Sequence, residues 1–205
     1  MNHKKIHFYC SRLIQILVIL FLSVFLLYQF ILMLNELKTV YSVNKDCGID
    51  QKNNNRILAD LSIKLNQAIK KIAMNDCQNS PKNASFRGGW CAEDSGKNST
   101  QHIHDKLLSN ALSQYFKGKR VVSFGDGQGN YKRDMDMKNE VIRYDAFDGA
   151  PYVEEVTDGL VHYLDVSVPV YHLERYDWVL SLEVAEHIPK EFEATFVDNV
   201  KRHAL

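Results

Sequence analysis

The stretch Arg120 to Asp148, RVVSFGDGQGNYKRDMDMKNEVIRYDAFD, contains two apolar runs separated by three alternate glycines. The first run, Val121 to Phe124, has the composition of a short buried strand. A turn built on glycines lets backbone N–H groups approach a ligand closely. The stretch therefore predicts a strand that ends in a turn, here called the glycine turn, containing Gly125, Gly127 and Gly129.

The second apolar run, Val141 to Tyr144, predicts a neighbouring strand with Asp145 at its carboxyl end. Asp145 follows Gly125 by 20 residues. In an open parallel sheet, nucleotide-like ligands bind in the crevice beyond the strand ends, and a carboxylate at about this distance suits a ribose diol. A glycine triplet alone is also compatible with a tight strand-to-helix turn that binds no ligand.

A third stretch, Tyr176 to Pro189, reads YDWVLSLEVAEHIP. With the glycine turn and Asp145, it resembles the class I S-adenosylmethionine-dependent methyltransferases of the type 11/23-like group. That family has this glycine spacing and a similar fourth strand, and the three blocks occur here in family order. The resemblance implies an α/β fold with a Rossmann-like, doubly wound sheet and S-adenosyl-L-methionine as the cofactor.

The resemblance also implies roles for single residues. The backbone of the glycine turn would cradle the methionine part of the cofactor, and Asp145 would accept hydrogen bonds from both ribose hydroxyls. Ala146 or Phe147 would flank the adenine ring, and Asp165 would receive the adenine amino group.

One position departs from the family pattern. Many members carry an acid two residues before the first glycine, where this chain has Ser123. Asp126, inside the glycine turn, is then the candidate partner for the ammonium group of the cofactor. The alternative is that Asp126 is a turn residue tolerated for its backbone geometry.

The segment after the predicted fourth strand carries Glu183, Glu186 and His187. This spacing is similar to that of family members in which these positions bind a divalent metal, and such a ligand set suits Mg²⁺, Mn²⁺ or Zn²⁺. A metal-bound hydroxyl loses its proton readily, which favours O-methylation. The alternative is that Glu183 and His187 hold the loop without a metal, leaving His187 as the general base.

We expect four strands and two helices in a domain over residues 103–205. The strands after the first two are Leu160 to Leu164, ending at Asp165, and Trp178 to Leu182. A family domain has about seven strands, so the resemblance implies a partial sheet, incomplete at the C-terminus. The helices are Ile103 to Phe116, with its apolar residues on one face, and Glu191 to Arg202, with Phe192, Phe196 and Val200 inward.

The N-terminal region predicts a membrane anchor. Leu13 to Leu34 is 22 residues long without a charge, enough to span a bilayer as a helix. The longer apolar run and the absence of a small-residue cleavage site favour a signal anchor over a cleaved signal peptide. Basic residues in the tail 1–12 place the N-terminus in the cytosol, giving a type II protein. The opposite orientation, with a cytosolic domain, is the alternative.

Two sequons and the cysteines agree with a domain in the lumen of the Golgi or endoplasmic reticulum. Asn83 and Asn98 begin glycosylation acceptors, so a glycoprotein is expected. Three cysteines follow the anchor, an odd number that allows one to pair between chains, and they are Cys47, Cys77 and Cys91. A dimer through a disulfide or the stem is one expectation.

Residues 35–79 read as a helical stem, and 80–102 as a loop that carries the sequons and is anchored by Trp90. The stem's apolar stripe spans about two heptads, so packing on the domain is favoured over a free-standing coiled coil. Its members are Leu58, Leu61, Leu65, Ala68 and Ile72.

The formal net charge is zero over 205 residues, so nucleic acid is not an expected partner. We expect an O-directed methyltransferase acting on a glycan, lipid or secreted molecule. The alternative is a membrane-tethered binding or regulatory protein that keeps the nucleotide-binding half of the fold and has no turnover.

Overall fold

The computed structural model describes residues 51–79, 84–85, 87–91 and 104–205. The predicted anchor, the sequon asparagines Asn83 and Asn98, and Cys47 lie outside the described residues. Within those ranges, no helix combines the length and apolarity needed to cross a bilayer. Residues 55–205 form one compact unit.

A four-stranded parallel sheet forms the centre of the unit, in the order β3-β2-β1-β4. The predicted α/β fold is confirmed at this level. Successive residues of β1 point to opposite faces of the sheet. Val121 belongs to one apolar cluster and Val122 to the other, so both faces are covered. The strands are β1 (Arg120–Phe124), β2 (Arg143–Asp148), β3 (His162–Tyr163) and β4 (Trp178–Leu180).

The second strand begins later and ends later than its apolar run predicts. Its pairing with β1 starts at Arg143 opposite Arg120 and reaches Phe147 opposite Phe124. Ile142, counted as a strand residue from its apolarity, is 70% exposed. The predicted placement of Asp145 at the carboxyl end is therefore wrong, because Asp145 is the third residue of β2 and Asp148 is the last.

Helices flank the sheet, and two short 3₁₀ turns, Ala185–His187 and Lys190–Phe192, follow β4. The helices are α1 (Gln51–Asn79), α2 (Lys106–Tyr115), α3 (Asn130–Lys138), α4 (Val153–Val156) and α5 (Glu193–His203).

The inward face of α2 differs from the predicted apolar face. Leu107 is 81% exposed, whereas Ser109 and Ser113 are fully buried. The Ser113 hydroxyl donates to Glu140 Oε2 at 3.0 Å, and Phe116 after the helix belongs to an apolar core cluster.

The stem helix α1 packs on the domain, as the sequence predicts, but the residues that it buries differ from those of the predicted apolar stripe. Leu65 is buried as predicted, whereas Ile72 is exposed. The buried polar side chains on that face form hydrogen bonds with the connection between β3 and β4. Asn66 accepts from the Asp165 N–H at 2.8 Å, and Ser62 accepts from the Tyr171 N–H at 3.1 Å.

The last helix begins two residues later than predicted and buries Phe196, as expected. It also buries Asn199, whose side-chain amide donates to the carbonyls of Val166 and Val168 at 2.9 and 2.7 Å. These bonds hold the connection between β3 and β4 against α5.

Candidate functional site

A cleft of about 800 Å³ opens at the carboxyl ends of the strands. Its walls are the glycine turn, the ends of β2 and β3, the segment after β4, the start of α2, and residues 84 and 87–90. A cavity of this size suits a small-molecule ligand. Among the predicted site residues that line it are Gly125, Asp126, Gly127, Asp165, Glu183 and His187.

The glycine turn requires its glycines for two reasons. All three adopt positive φ, with Gly125 at 89°, a conformation that other residues rarely adopt. A Cβ on Gly125 would also lie 2.1 Å from Cγ2 of Val184, in the segment after β4. The turn and that segment therefore touch at the floor of the cleft.

Asp148, the last residue of β2, is the acid that meets the glycine turn. Its Oδ2 accepts from the Gly127 N–H at 2.9 Å, and its Oδ1 accepts from the Ala150 N–H at 2.8 Å. Asp148 is 8% exposed and lines the cleft.

Asp145 faces a different environment and is outside the cleft lining. Its Oδ2 accepts from the Tyr176 hydroxyl at 2.6 Å, and the Arg143 guanidinium lies 2.7 Å from the same oxygen. The predicted convergence of Asp145 with the glycine turn is therefore not found. Asp148 was missed in the sequence because the second strand was expected to end at Asp145.

Ala146 and Phe147, predicted beside an adenine ring, take other places. Ala146 is buried in an apolar cluster of the core and cannot flank a ligand. Phe147 packs against the other cluster, with its ring 6.1 Å from that of His162. The Phe147 carbonyl accepts from the N–H groups of Gly125 and Asp126, which fixes the turn against β2.

Asp126 lies in the turn with its carboxylate enclosed. Oδ1 accepts from the Tyr144 hydroxyl at 2.9 Å, and Oδ2 accepts from the Lys132 N–H at 3.3 Å. Burial raises the pKa of Asp126 to about 6, although hydrogen bonds from Tyr144 and Ser123 act in the opposite direction. Burial likewise raises the pKa of the Tyr144 hydroxyl.

Asp165 closes the far side of the cleft. It is buried, and its Oδ1 accepts from the Ser167 N–H at 2.8 Å. Arg87 reaches it from outside the sheet, with Nε 3.6 Å from Oδ2. The Arg87 guanidinium also donates to the Ser167 hydroxyl and lies 4.4 Å above the Phe192 ring.

Residues 84–85 and 87–91, here called the strap, contribute to the lining of this end of the cleft. Gly88 and Gly89 approach backbone so closely that a Cβ would lie 2.5 Å from the His187 carbonyl oxygen and 2.2 Å from the Gly149 carbonyl oxygen. A disulfide joins Cys77 of α1 to Cys91 of the strap. Trp90 packs on the core, as predicted. No pattern in the sequence indicates the role of Arg87.

The segment after β4 is open to solvent. Glu183 has φ of 53°, a strained conformation for a residue other than glycine, and its side chain is exposed at the cleft. His187 also lines the cleft, whereas Glu186 is exposed and outside the lining. No group of three His, Cys, Asp or Glu side chains among the described residues is arranged to hold a metal ion.

A second histidine lines the cleft and was not singled out from the sequence. Nε2 of His104 lies 3.0 Å from Asp134 Oδ2, and its ring meets that of Tyr131 edge-on. The only sequence signal is its position beside Asp105, which caps α2 by accepting from the N–H groups of Leu107 and Leu108.

No protein-family model and no curated protein matches the chain. Among solved structures, the chain is similar to a SAM-dependent methyltransferase from Thiobacillus denitrificans in complex with S-adenosyl-L-homocysteine, with a TM-score of 0.37 and 14% identity. That alignment covers 52% of this chain and 48% of the other. The chain is also similar to YjhP from E. coli, with a TM-score of 0.36, 14% identity, and 52% and 49% covered. This chain spans about half the length of either structure, and similarities this low do not identify a function.

Proposed function

We propose that the cleft binds S-adenosyl-L-methionine and that the chain belongs to a methyltransferase of class I type. One observation carries the proposal: Asp148, at the end of β2, closes onto the glycine turn at the end of β1 through the Gly127 N–H. In a parallel sheet, this pair of adjacent strand ends is where a nucleotide-like ligand binds.

Three parts of the cleft would hold the cofactor. We assign ribose binding to Asp148, which lines the cleft, and no longer to Asp145, for which the sequence predicts this role. The glycine turn and Asp165 line the cleft, which supports their proposed roles beside the methionine part and the adenine amino group. The motif resemblance and the geometry thus favour the same ligand.

When bound, S-adenosylmethionine supplies a methyl group on a positively charged sulfur. The chain has to accept a proton from the methyl acceptor and to keep the reacting groups aligned. His187 lines the cleft in the segment after β4 and is the base that we propose, with Glu183 beside the acceptor. Oxygen is the acceptor atom that we favour.

The metal-assisted form of the reaction has less support. Glu183, Glu186 and His187 are not gathered into a ligand set, and Glu186 lies outside the cleft lining. If a divalent ion is required, addition of a chelator should abolish methyl transfer and leave cofactor binding intact. Unchanged transfer after chelation is the result that this proposal expects.

We also propose that the domain faces the lumen of the secretory pathway. The Cys77–Cys91 disulfide supports this location, because disulfides persist in oxidising compartments. The sequons at Asn83 and Asn98 point the same way. Loss of apparent mass after endoglycosidase treatment is expected, and an unshifted band would favour the opposite orientation.

Calorimetry with S-adenosylhomocysteine on the full chain tests the cofactor assignment. We expect binding at micromolar concentrations, with NAD and ATP failing to compete at the same concentrations. Binding of NAD or ATP without binding of S-adenosylhomocysteine would overturn the proposal. Binding without methyl transfer to any lumenal extract would favour the alternative of a binding or regulatory protein.

A further inference from the structure

Asp165 is held by two elements that lie outside the sheet. The stem helix α1 bonds to its backbone, because Asn66 accepts from the Asp165 N–H at 2.8 Å. The strap meets its side chain, because Nε of Arg87 lies 3.6 Å from Asp165 Oδ2. Both contacts are enclosed, since Asn66 and Asp165 are buried and the Arg87 side chain is 11% exposed. The position of the Asp165 carboxylate in the cleft therefore depends on two segments that precede the sheet in the chain.

A covalent bond joins these two elements. The disulfide between Cys77 and Cys91 connects α1 to the strap. Together with the contacts of Asn66 and Arg87, it completes a ring that runs from α1 through the strap to Asp165 and back to α1. These five residues are here called the clamp. A side chain that is already held in this way loses less conformational entropy when it binds a ligand.

Further contacts fix the clamp to the loop after β3 and to the second 3₁₀ turn. Oδ1 of Asp165 accepts from the Ser167 N–H at 2.8 Å, and the Arg87 guanidinium donates to the Ser167 hydroxyl. The same guanidinium lies 4.4 Å above the Phe192 ring. Turning either the Arg87 side chain or the Asp165 carboxylate away from its position would break at least one of these contacts.

A carboxylate in a fixed position can distinguish purine bases that a mobile one would accept alike. Adenine presents an amino donor at position 6 and an acceptor at N1, whereas hypoxanthine presents a carbonyl acceptor at position 6 and an N1–H donor. An ionised carboxylate is an acceptor only. If it is free to move, it can follow the donor from the amino group to N1–H and bind either base. If it is held opposite position 6, the hypoxanthine carbonyl repels it.

We propose that the clamp sets the base selectivity of the cofactor site, with Arg87 and Asn66 as positioning residues for Asp165. This inference rests on the proposed function, in which Asp165 receives the adenine amino group. It adds that segments outside the sheet, joined by a disulfide, determine which base the site accepts. Asn66 lies outside the cleft lining, so its effect on selectivity has to pass through a lining residue such as Asp165.

Calorimetry on the full chain with S-adenosylhomocysteine and its deaminated analogue, S-inosylhomocysteine, tests the proposal. The two ligands differ only at positions 1 and 6 of the base. We expect the unaltered chain to prefer S-adenosylhomocysteine by at least about tenfold, the loss that accompanies an unmatched hydrogen bond to a charged group. In Arg87→Ala and Asn66→Leu, this preference should fall below about threefold, because the carboxylate can then follow the donor. The ratio of the two affinities is a readout that general destabilisation does not change.

Two further variants separate the parts of the clamp. Cys77→Ser breaks the covalent link and leaves the contacts of Asn66 and Arg87 in place, so the preference should fall to an intermediate value. Arg175→Ala is the matched control, because Arg175 donates to the Ala204 carbonyl and lies outside the cleft lining. Its preference should stay within about twofold of that of the unaltered chain.

The inference and the proposed function fail in distinguishable ways. Equal affinity of the unaltered chain for both ligands overturns the inference and leaves the cofactor assignment standing. The same holds if Arg87→Ala weakens both ligands alike, because its role would then be structural. Binding of neither ligand overturns both proposals. Thermal unfolding checks that each variant is folded, and if Asn66→Leu is not, Arg87→Ala and Cys77→Ser decide the outcome.

Discussion

The two walls of the cleft differ in how firmly their side chains are held. On the glycine-turn wall, Asp126 and Asp148 are buried and bonded to backbone N–H groups. On the opposite wall, Glu183 and His187 are exposed. The difference indicates that the glycine-turn wall, here called the cofactor wall after its proposed role, is preformed, whereas the opposite wall, here called the acceptor wall, is open to solvent. Substitutions on the two walls should therefore have separable effects.

The largest expected effect comes from Gly125→Ala, where the two walls touch. The variant forces a side chain into positive φ and places its Cβ against Val184. Backbone strain and overpacking together should lower the free energy of unfolding by roughly 4 kcal/mol and abolish S-adenosylhomocysteine binding. Chemical denaturation measures the first quantity and calorimetry the second.

The control for this variant is the double substitution Gly125→Ala with Val184→Ala. Removing the Val184 methyl groups should relieve the overpacking and restore part of the stability, while the strain of the positive φ remains. If the double variant is no more stable than Gly125→Ala alone, the contact between the two walls is not the cause.

The disulfide is expected to have the next largest effect. Cys77 and Cys91 are 14 residues apart, so replacing either with Ser should lower the free energy of unfolding by roughly 3 kcal/mol, according to loop-closure entropy. Each single variant should match the double variant, because either change breaks the same bond. A further loss in the double variant would show that the thiols contribute separately.

Arg87 links the strap to Asp165 at the far side of the cleft, and its removal should lower stability less than loss of the disulfide. Arg87→Ala leaves the buried Asp165 without this guanidinium and removes the contact with Phe192. We expect a loss of about 2 kcal/mol in stability and weaker S-adenosylhomocysteine binding. Arg87→Lys should be intermediate, because an ammonium keeps the charge without the planar contact. Equal losses of stability in Arg87→Ala and Arg87→Lys would show that the planar guanidinium is required and that a positive charge alone is not sufficient.

The smallest effect is expected on the acceptor wall. Glu186 is exposed and outside the cleft lining, so Glu186→Ala should change both stability and S-adenosylhomocysteine affinity by less than about 0.5 kcal/mol. Replacement of His187 by Ala should likewise spare cofactor affinity but reduce methyl transfer. A marked loss of cofactor binding in either variant would remove the distinction between the two walls.

The sequence was sufficient for the parts of the fold that follow from local chemistry. Val121 to Phe124 and the glycines after it form the predicted strand and turn, because apolar burial and positive φ are properties of single residues. The end of β2 was misplaced, since Val141 and Ile142 are apolar without pairing in the sheet. The ladder with β1 determines that boundary, and pairing is not a local property.

Polar residues buried by distant partners were also beyond sequence reasoning. Ser62 and Asn66 face inward on α1 because they bond to the backbone of Tyr171 and Asp165, about a hundred positions along the chain. The spacing of apolar residues along a helix does not predict such polar contacts. The role of Arg87 depends in the same way on Asp165 and Ser167.

We propose above all that Asp148, and not Asp145, binds the ribose of the cofactor. Calorimetry with S-adenosylhomocysteine on Asp148→Asn and Asp145→Asn compares the same chemical change at two positions of one strand. We expect at least a tenfold loss of affinity for Asp148→Asn, from a lost hydrogen bond to a charged group, and less than about a threefold change for Asp145→Asn. Equal losses, or a larger loss for Asp145→Asn, would contradict the account.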